Sequence, residues 1–170
     1  MSEEMLENTE DKSALCLSVQ MTDKILYDYL IHHAYTHFPG IMSVCFAVLG
    51  LLFYARTSEI IYLALAVLLI FYLPVNLGYR AKVQMMSPVF KEPIDYEVSE
   101  AGIRMRQNEA ESLATWDMIE KAVSTKKSIV MYTGKNSATI FPREALGEDL
   151  TAFLSIAAAG MKPGRMKVRF

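Results

Sequence analysis

Cysteine is scarce in this 170-residue sequence: there are two, Cys16 and Cys45, and neither sits in a CxxC or Cys/His spacing. A disulfide framework and a structural zinc site are both unsupported by that count. Glycine and proline are also few, at 8 and 6, so collagen-like and low-complexity chains are excluded. Charge is thin, with 21% charged against 52% hydrophobic residues and a formal net charge of -2, which fits neither a disordered chain nor a nucleic-acid-binding polycation. Missing too are a Gly-rich phosphate loop, HExxH, GxSxG and paired carboxylates at telling positions. The expectation is a protein that is not an enzyme, with no cofactor, no metal and no nucleic-acid partner.

The shortage of charge is concentrated in one place. Between Phe38 and Tyr79 the only charges are Arg56 and Glu59, while the stretch before it is acidic and the stretch after it is weakly basic. Phe38 to Ala55 and Ile60 to Tyr79 are therefore two uncharged segments joined by Arg56, Thr57, Ser58 and Glu59. As helices they reach about 27 and 30 Å, close to the roughly 30 Å hydrocarbon thickness of a bilayer. The short connection makes them antiparallel neighbours, so residues 38–79 are expected to form a transmembrane helical hairpin.

Tyr54 and Tyr62 fall near the tip of this hairpin, and Tyr35, Phe38, Tyr72 and Tyr79 near its open end, the places where amphipathic rings meet the two interfaces. Arg80 and Lys82 follow the second segment directly, whereas the tip is neutral, so the positive-inside rule puts both termini in the cytoplasm. The lead-in to the first apolar segment is acidic, which argues against a cleaved leader. The localisation expected is multi-pass in a bacterial cytoplasmic (inner) membrane. Ser43, Ala47 and Gly50 in the first segment and Ala64 and Ala66 in the second offer small faces for close helix packing, within one hairpin or between copies. Pro74 is expected to kink the cytoplasmic end of the second helix.

Residues 1–12 read as a disordered acidic tail. Residues 13–37 read as a strand, from the alternation of Leu15, Leu17, Val19 and Met21, followed by a juxtamembrane helix capped at Thr22 and Asp23 that joins the cytoplasmic domain. Period-two alternation returns after the hairpin at Ile94-Tyr96-Val98 and Ile103-Met105. Further strands are expected at Ser112–Trp116, Met118–Val123, Ser128–Tyr132 and Ser137–Phe141, separated by turn-type residues. Pro142 then opens a helix that places Leu146, Leu150, Phe153, Leu154 and Ala157 on one face and ends at Gly160.

The fold class expected is an α+β membrane protein: a two-helix transmembrane hairpin plus a small antiparallel β half-barrel, pleckstrin-homology-like, closed by a C-terminal helix. Residues 80–160 would form that cytoplasmic domain and residues 161–170 a basic tail. Two adjacent apolar segments, Arg80, the Trp116-Asp117-Met118-Ile119 segment, and Ile140-Phe141-Pro142-Arg143 before the last helix together resemble the bacterial YcxB-like membrane proteins, over about Ala14 to Ala158. The resemblance implies an integral membrane protein with a pleckstrin-homology-like cytoplasmic domain and no assigned biochemical activity. It also implies that the strand near Leu15 to Met21 joins the C-terminal sheet.

His33 and His37 share a helical face beside His32, a spacing able to chelate zinc, but two ligands do not make a site. Trp116, the only tryptophan, is expected to fill the core under the closing helix. The candidate contacts to a membrane surface or partner are basic: Arg104 and Arg106 as part of a rim with Lys126, Lys127 and Lys135, and Lys162, Arg165, Lys167 and Arg169 in the tail. The functional expectation is a membrane-anchored binding or adaptor module for an unknown protein or peptide. A possible homo-oligomer, forming a channel or transporter subunit from the hairpin, is the alternative. The lipid bilayer is a partner in either case.

Overall fold

A computed structural model of the chain describes residues 14–134 and 137–168, which form two compact units. The chain enters one unit with its first strand, leaves it for the helical unit at Met21, and returns at Glu92.

The helical unit holds α1 (Asp23–Thr36), α2 (Phe38–Thr57) and α3 (Ile60–Met85). Thr22 caps α1 as its sequence suggests, its Oγ1 accepting the Ile25 N–H at 3.3 Å, and Asp23 places an anion in the first turn. The break before α2 falls at His37, with Pro39 inside the first turn, where its missing N–H costs nothing. α2 and α3 pack on each other through the small residues: Ala47 and Ala66 are buried and Ser43 Oγ donates to the Leu69 carbonyl at 3.3 Å. A Cβ added at Gly50 would lie 3.2 Å from both the Ala66 Cβ and the Tyr62 carbonyl oxygen. The small face of α2 is thus used inside one hairpin, whereas Ala64 lies with Ile60, Leu63, Val67, Phe71 and Val75 on an open face of α3. Pro74 sits within an unbroken helix that continues past Tyr79 to Met85. Both α2 and α3 are long and apolar enough to cross a membrane, and only 11% of the most apolar window of each is buried.

The β unit holds two four-stranded sheets. The first runs in the order β1 (Leu15–Val19), β2 (Ile94–Ser99), β3 (Gly102–Gln107), β4 (Ala110–Ala114), antiparallel throughout. β1 pairs with β2 as Leu15↔Val98 through Val19↔Ile94, so the unit is discontinuous in sequence and takes its first strand from before α2 and α3. The strand half of residues 13–37 therefore lies here and the helix half in the other unit. Gly102 is required at the β2–β3 turn: its φ is +141°, and a Cβ there would collide with the Ala114 carbonyl.

The second sheet has the order β7 (Ala138–Pro142), β6 (Ser128–Tyr132), β5 (Lys121–Ser124), β8 (Met166–Lys167). A continuous meander is expected from the sequence; two sheets form because the strand pattern is broken at Trp116. Trp116 to Met118 is a turn of 3-10 helix, with the Met118 N–H donating to the Thr115 carbonyl at 3.0 Å, and the strand expected from Met118 begins only at Lys121. Pro142 both closes β7 and stands as the N-cap of the helix that starts at Arg143. The single helix expected after it is two, α4 (Arg143–Leu146) and α5 (Leu150–Gly160), because Gly147 at φ +47° leaves the helical region between them.

α5 lays Phe153, Leu154 and Ala157 on a core that includes Val19, Val98, Ile103, Ile119, Ile129 and Phe141. Phe141 links Tyr96 and Phe153, with ring centroids 4.9 and 4.7 Å away. Trp116 fills the space at the end of α5, 5% exposed, its indole N–H donating to the Ser99 carbonyl at 3.1 Å. The ring lies so close to Gly160 that a Cβ there would overlap it, which is why the helix ends in glycine.

Candidate functional site

The β2–β3 register places Glu97 opposite Arg104, and the β3–β4 register places Arg106 opposite Glu111, so alternation brings two arginines and two glutamates to one face of the first sheet. Arg104 Nε is 3.2 Å from Glu111 Oε1 and its Nη1 is 3.7 Å from Glu97 Oε2. Arg106 reaches the same two carboxylates at 3.6 and 3.7 Å. All four side chains are partly exposed, so each pair contributes about 0–1 kcal/mol at most. The electrostatic consequence is larger than the energetic one: Arg104 and Arg106 stand in a locally neutral cluster and present no basic rim. Beside them lies a groove of about 290 Å³ lined by Cys16, Leu17, Ser18, Asp95, Tyr96, Glu97 and Arg106. Burial pushes the Tyr96 phenol up to about 12.

The basic tail is a structural strap as far as it is described. Met161 is buried against the core, and Lys162 Nζ lies 2.9 Å from Asp117 Oδ1. The hydrogen bond and charge of Lys162, with a smaller contribution from Arg165, hold the exposed Asp117 carboxyl below its ordinary value. Arg165 Nη1 donates to the Asp117 and Ile119 carbonyls at 3.1 and 2.8 Å, and its own carbonyl accepts the Ala122 N–H at 2.9 Å. Gly164, at φ +85°, turns the chain so that Met166 and Lys167 pair in parallel with Ala122 and Val123 of β5. Lys162 and Arg165 thus fasten the tail to the 3-10 turn at Trp116–Met118. Lys167 is exposed, and Arg169 lies outside the described residues, as do Lys135 and the 1–12 tail.

Among the described residues the candidate cations Arg104, Arg106, Lys162, Arg165 and Lys167 form no common site, since the Arg104–Arg106 cluster and the tail share no partner. Lys126 and Lys127 stand exposed on the β5–β6 turn, and Arg143 Nη2 donates to Ser124 Oγ at 2.6 Å. At the end of α1 the rings of His33 and of His37, the residue after the helix, lie 4.0 Å apart at a tilt of 34°, and His37 Nδ1 lies 2.6 Å from the His33 carbonyl oxygen, so that face is arranged around the helix terminus. Among the described residues no three His, Cys, Asp or Glu side chains come together as a metal site.

Sequence reasoning missed the free edge of the first sheet. Among the described residues β4 pairs with β3 alone, and Ala110, Glu111, Ser112 and Leu113 are all exposed. Leu113 and Met118, in the turn that follows, are the two exposed large hydrophobic residues of the β unit among the described residues. A signal was available in the sequence, because Ala110-Glu111-Ser112-Leu113-Ala114 lacks the apolar alternation of its neighbours. No curated protein and no solved structure matches the chain. Residues 98–157, wholly within the β unit, match the model of the family described as YcxB-like protein, the family the sequence resembles.

Proposed function

We propose that the chain is an integral protein of the bacterial cytoplasmic membrane, in which the α2–α3 hairpin anchors a cytoplasmic, pleckstrin-homology-like β unit that acts as a binding module for a protein partner. The observation that carries this reading is the exposure of the hairpin. Core helices of a soluble protein are mostly buried, whereas α2 and α3 leave Phe38, Leu52, Phe53, Ile60, Phe71 and Val75 exposed on a unit that offers nothing else to cover them. Helices of 20 and 26 residues reach about 30 and 39 Å, so α3 carries Arg80 and Lys82 beyond the hydrocarbon on one side. Those cations orient the open end, and with it the β unit, toward the cytoplasm. Two sheets, the first of β1 to β4 and the second built on β5 to β7, closed by α5 support the pleckstrin-homology-like assignment of the β unit. The neutral cluster at Arg104 and Arg106 and the internal use of Lys162 and Arg165 favour a protein over an acidic headgroup as ligand. No observation favours a pore: within the hairpin Ser43 is engaged with Leu69 and Asn76 with the Tyr72 hydroxyl.

The two native cysteines provide the test, since Cys16 lies in β1 and Cys45 in α2. A membrane-impermeant maleimide applied to spheroplasts should label neither, inside-out vesicles should react at Cys16 alone, and SDS should open both. Cys16 labelling in spheroplasts would reverse the topology, and Cys45 labelling without detergent would remove α2 from the lipid.

A further inference from the structure

The edges of the two sheets are not equivalent. α4 lies against both β1 and β7, and β8 is two residues long. β1, β4 and β7 are all five-residue outer strands, but among them β4 is the one exposed at four successive positions, Ala110 to Leu113, with no described strand beside it. Proteins protect such edges with charged side chains, proline, a bulge or a covering element; β4 has no lysine, proline or bulge, and its one charge, Glu111, is turned to Arg104 and Arg106 of its own sheet. The exposed apolar residues of the unit, Leu113 at 47% and Met118 at 58%, are on this strand and in the turn after it.

We propose that β4 is the binding edge of the module and that its occupant is β4 of a second copy of this chain, paired antiparallel about Ser112 to join two first sheets into one. The register follows from the side chains. To keep core faces on one side, directly opposed residues must share a face, which leaves pairings centred on Glu111, Ser112 or Leu113. Centring on Glu111 sets the two Glu111 carboxylates directly opposite each other, which is destabilising. Centring on Leu113 overlaps only Ser112 to Ala114. Centring on Ser112 pairs the whole strand, with Ala110 opposite Ala114 and Glu111 opposite Leu113 of the other copy. Each Leu113 then stands between Arg104 of its own sheet and Glu111 of the other, so no like charges face each other across the seam. The inference rests on the reading of the β unit as a binding module, and its test can fail while the labelling pattern of Cys16 and Cys45 holds.

The test uses the full chain in native membranes with Cys16→Ser and Cys45→Ala as background. Ser112→Cys, Ala110→Cys and Ala114→Cys are made singly, and the last two are also co-expressed. Opposed residues in an antiparallel pair have Cα atoms about 4.5–5.5 Å apart, within disulfide reach. Mild oxidation should give a covalent dimer with Ser112→Cys, none with either other variant alone, and a dimer again when Ala110→Cys and Ala114→Cys are mixed. A monomer with Ser112→Cys, or equal crosslinking by all three single variants, overturns the proposal.

Discussion

Gly160→Ala isolates the contact between the closing helix and the core. By helix propensity alone the change should stabilise the chain, by up to about 1 kcal/mol. The structure reverses the sign, because the added methyl meets the Trp116 ring, which is 5% exposed and held by its hydrogen bond to the Ser99 carbonyl. Overpacking of this kind costs about 1–3 kcal/mol, and displacing the indole weakens a hydrogen bond worth about 1 kcal/mol. The net expectation is a loss of about 1–3 kcal/mol. For a unit of this size each kcal/mol moves the unfolding midpoint by about 4–8 °C, so the midpoint should fall by roughly 5–20 °C. Trp116 is the only tryptophan, so its emission in detergent-solubilised protein reports unfolding of the β unit directly. Adding Trp116→Phe to Gly160→Ala, followed by circular dichroism, should recover part of the loss through non-additivity. A midpoint for Gly160→Ala that is unchanged or raised would refute the packing of α5 against Trp116.

Val19→Asp places a carboxylate at a position 1% exposed in β1 and should destabilise the β unit by more than about 3 kcal/mol, read as a red shift of Trp116 emission. The adjacent, exposed Ser18→Asn, opposite Asp95, should leave that emission unchanged. Tyr96, pushed up to about 12 by burial, stays neutral in the folded unit at pH values where the unfolded chain ionises near 10.0. The contribution of Tyr96 to stability should therefore be constant below pH 10 and fall between pH 10 and about 12, by on the order of 2–3 kcal/mol. Tyr96→Phe should flatten this decline in a pH series of chemical denaturation. Gly50→Leu should force α2 from α3 at Ala66 and Tyr62 and increase protease cleavage of the hairpin in detergent, with Gly50→Ala giving a smaller increase.

The long apolar helices and the strands were legible because their signals are local. A run without charge, or strict alternation as at Ile94, Tyr96 and Val98, needs no partner to be recognised. The roles of the cations were not legible, since they depend on what the fold brings opposite each one. Glu111 reaches Arg104 only through the β3–β4 register, and Arg165 finds the Asp117 and Ile119 carbonyls only because the chain turns at Gly164. The same tail sequence reads as a lipid-binding stretch until those acceptors are placed. The break at Trp116 was hidden for a similar reason: its indole N–H is paired to Ser99, a residue on another strand, and the turn that makes this bond splits the apparent meander into two sheets. β6, buried at every position, has no exposed face to give an alternation, and its bounds at Ser128–Tyr132 are legible from the turn-type residues on either side.

Alkaline carbonate extraction of native membranes tests the anchoring hairpin most directly, because it strips peripheral proteins and leaves those embedded in lipid. The full chain should remain in the membrane pellet and become soluble only with detergent. Release into the carbonate supernatant as a monodisperse protein free of detergent would contradict the account.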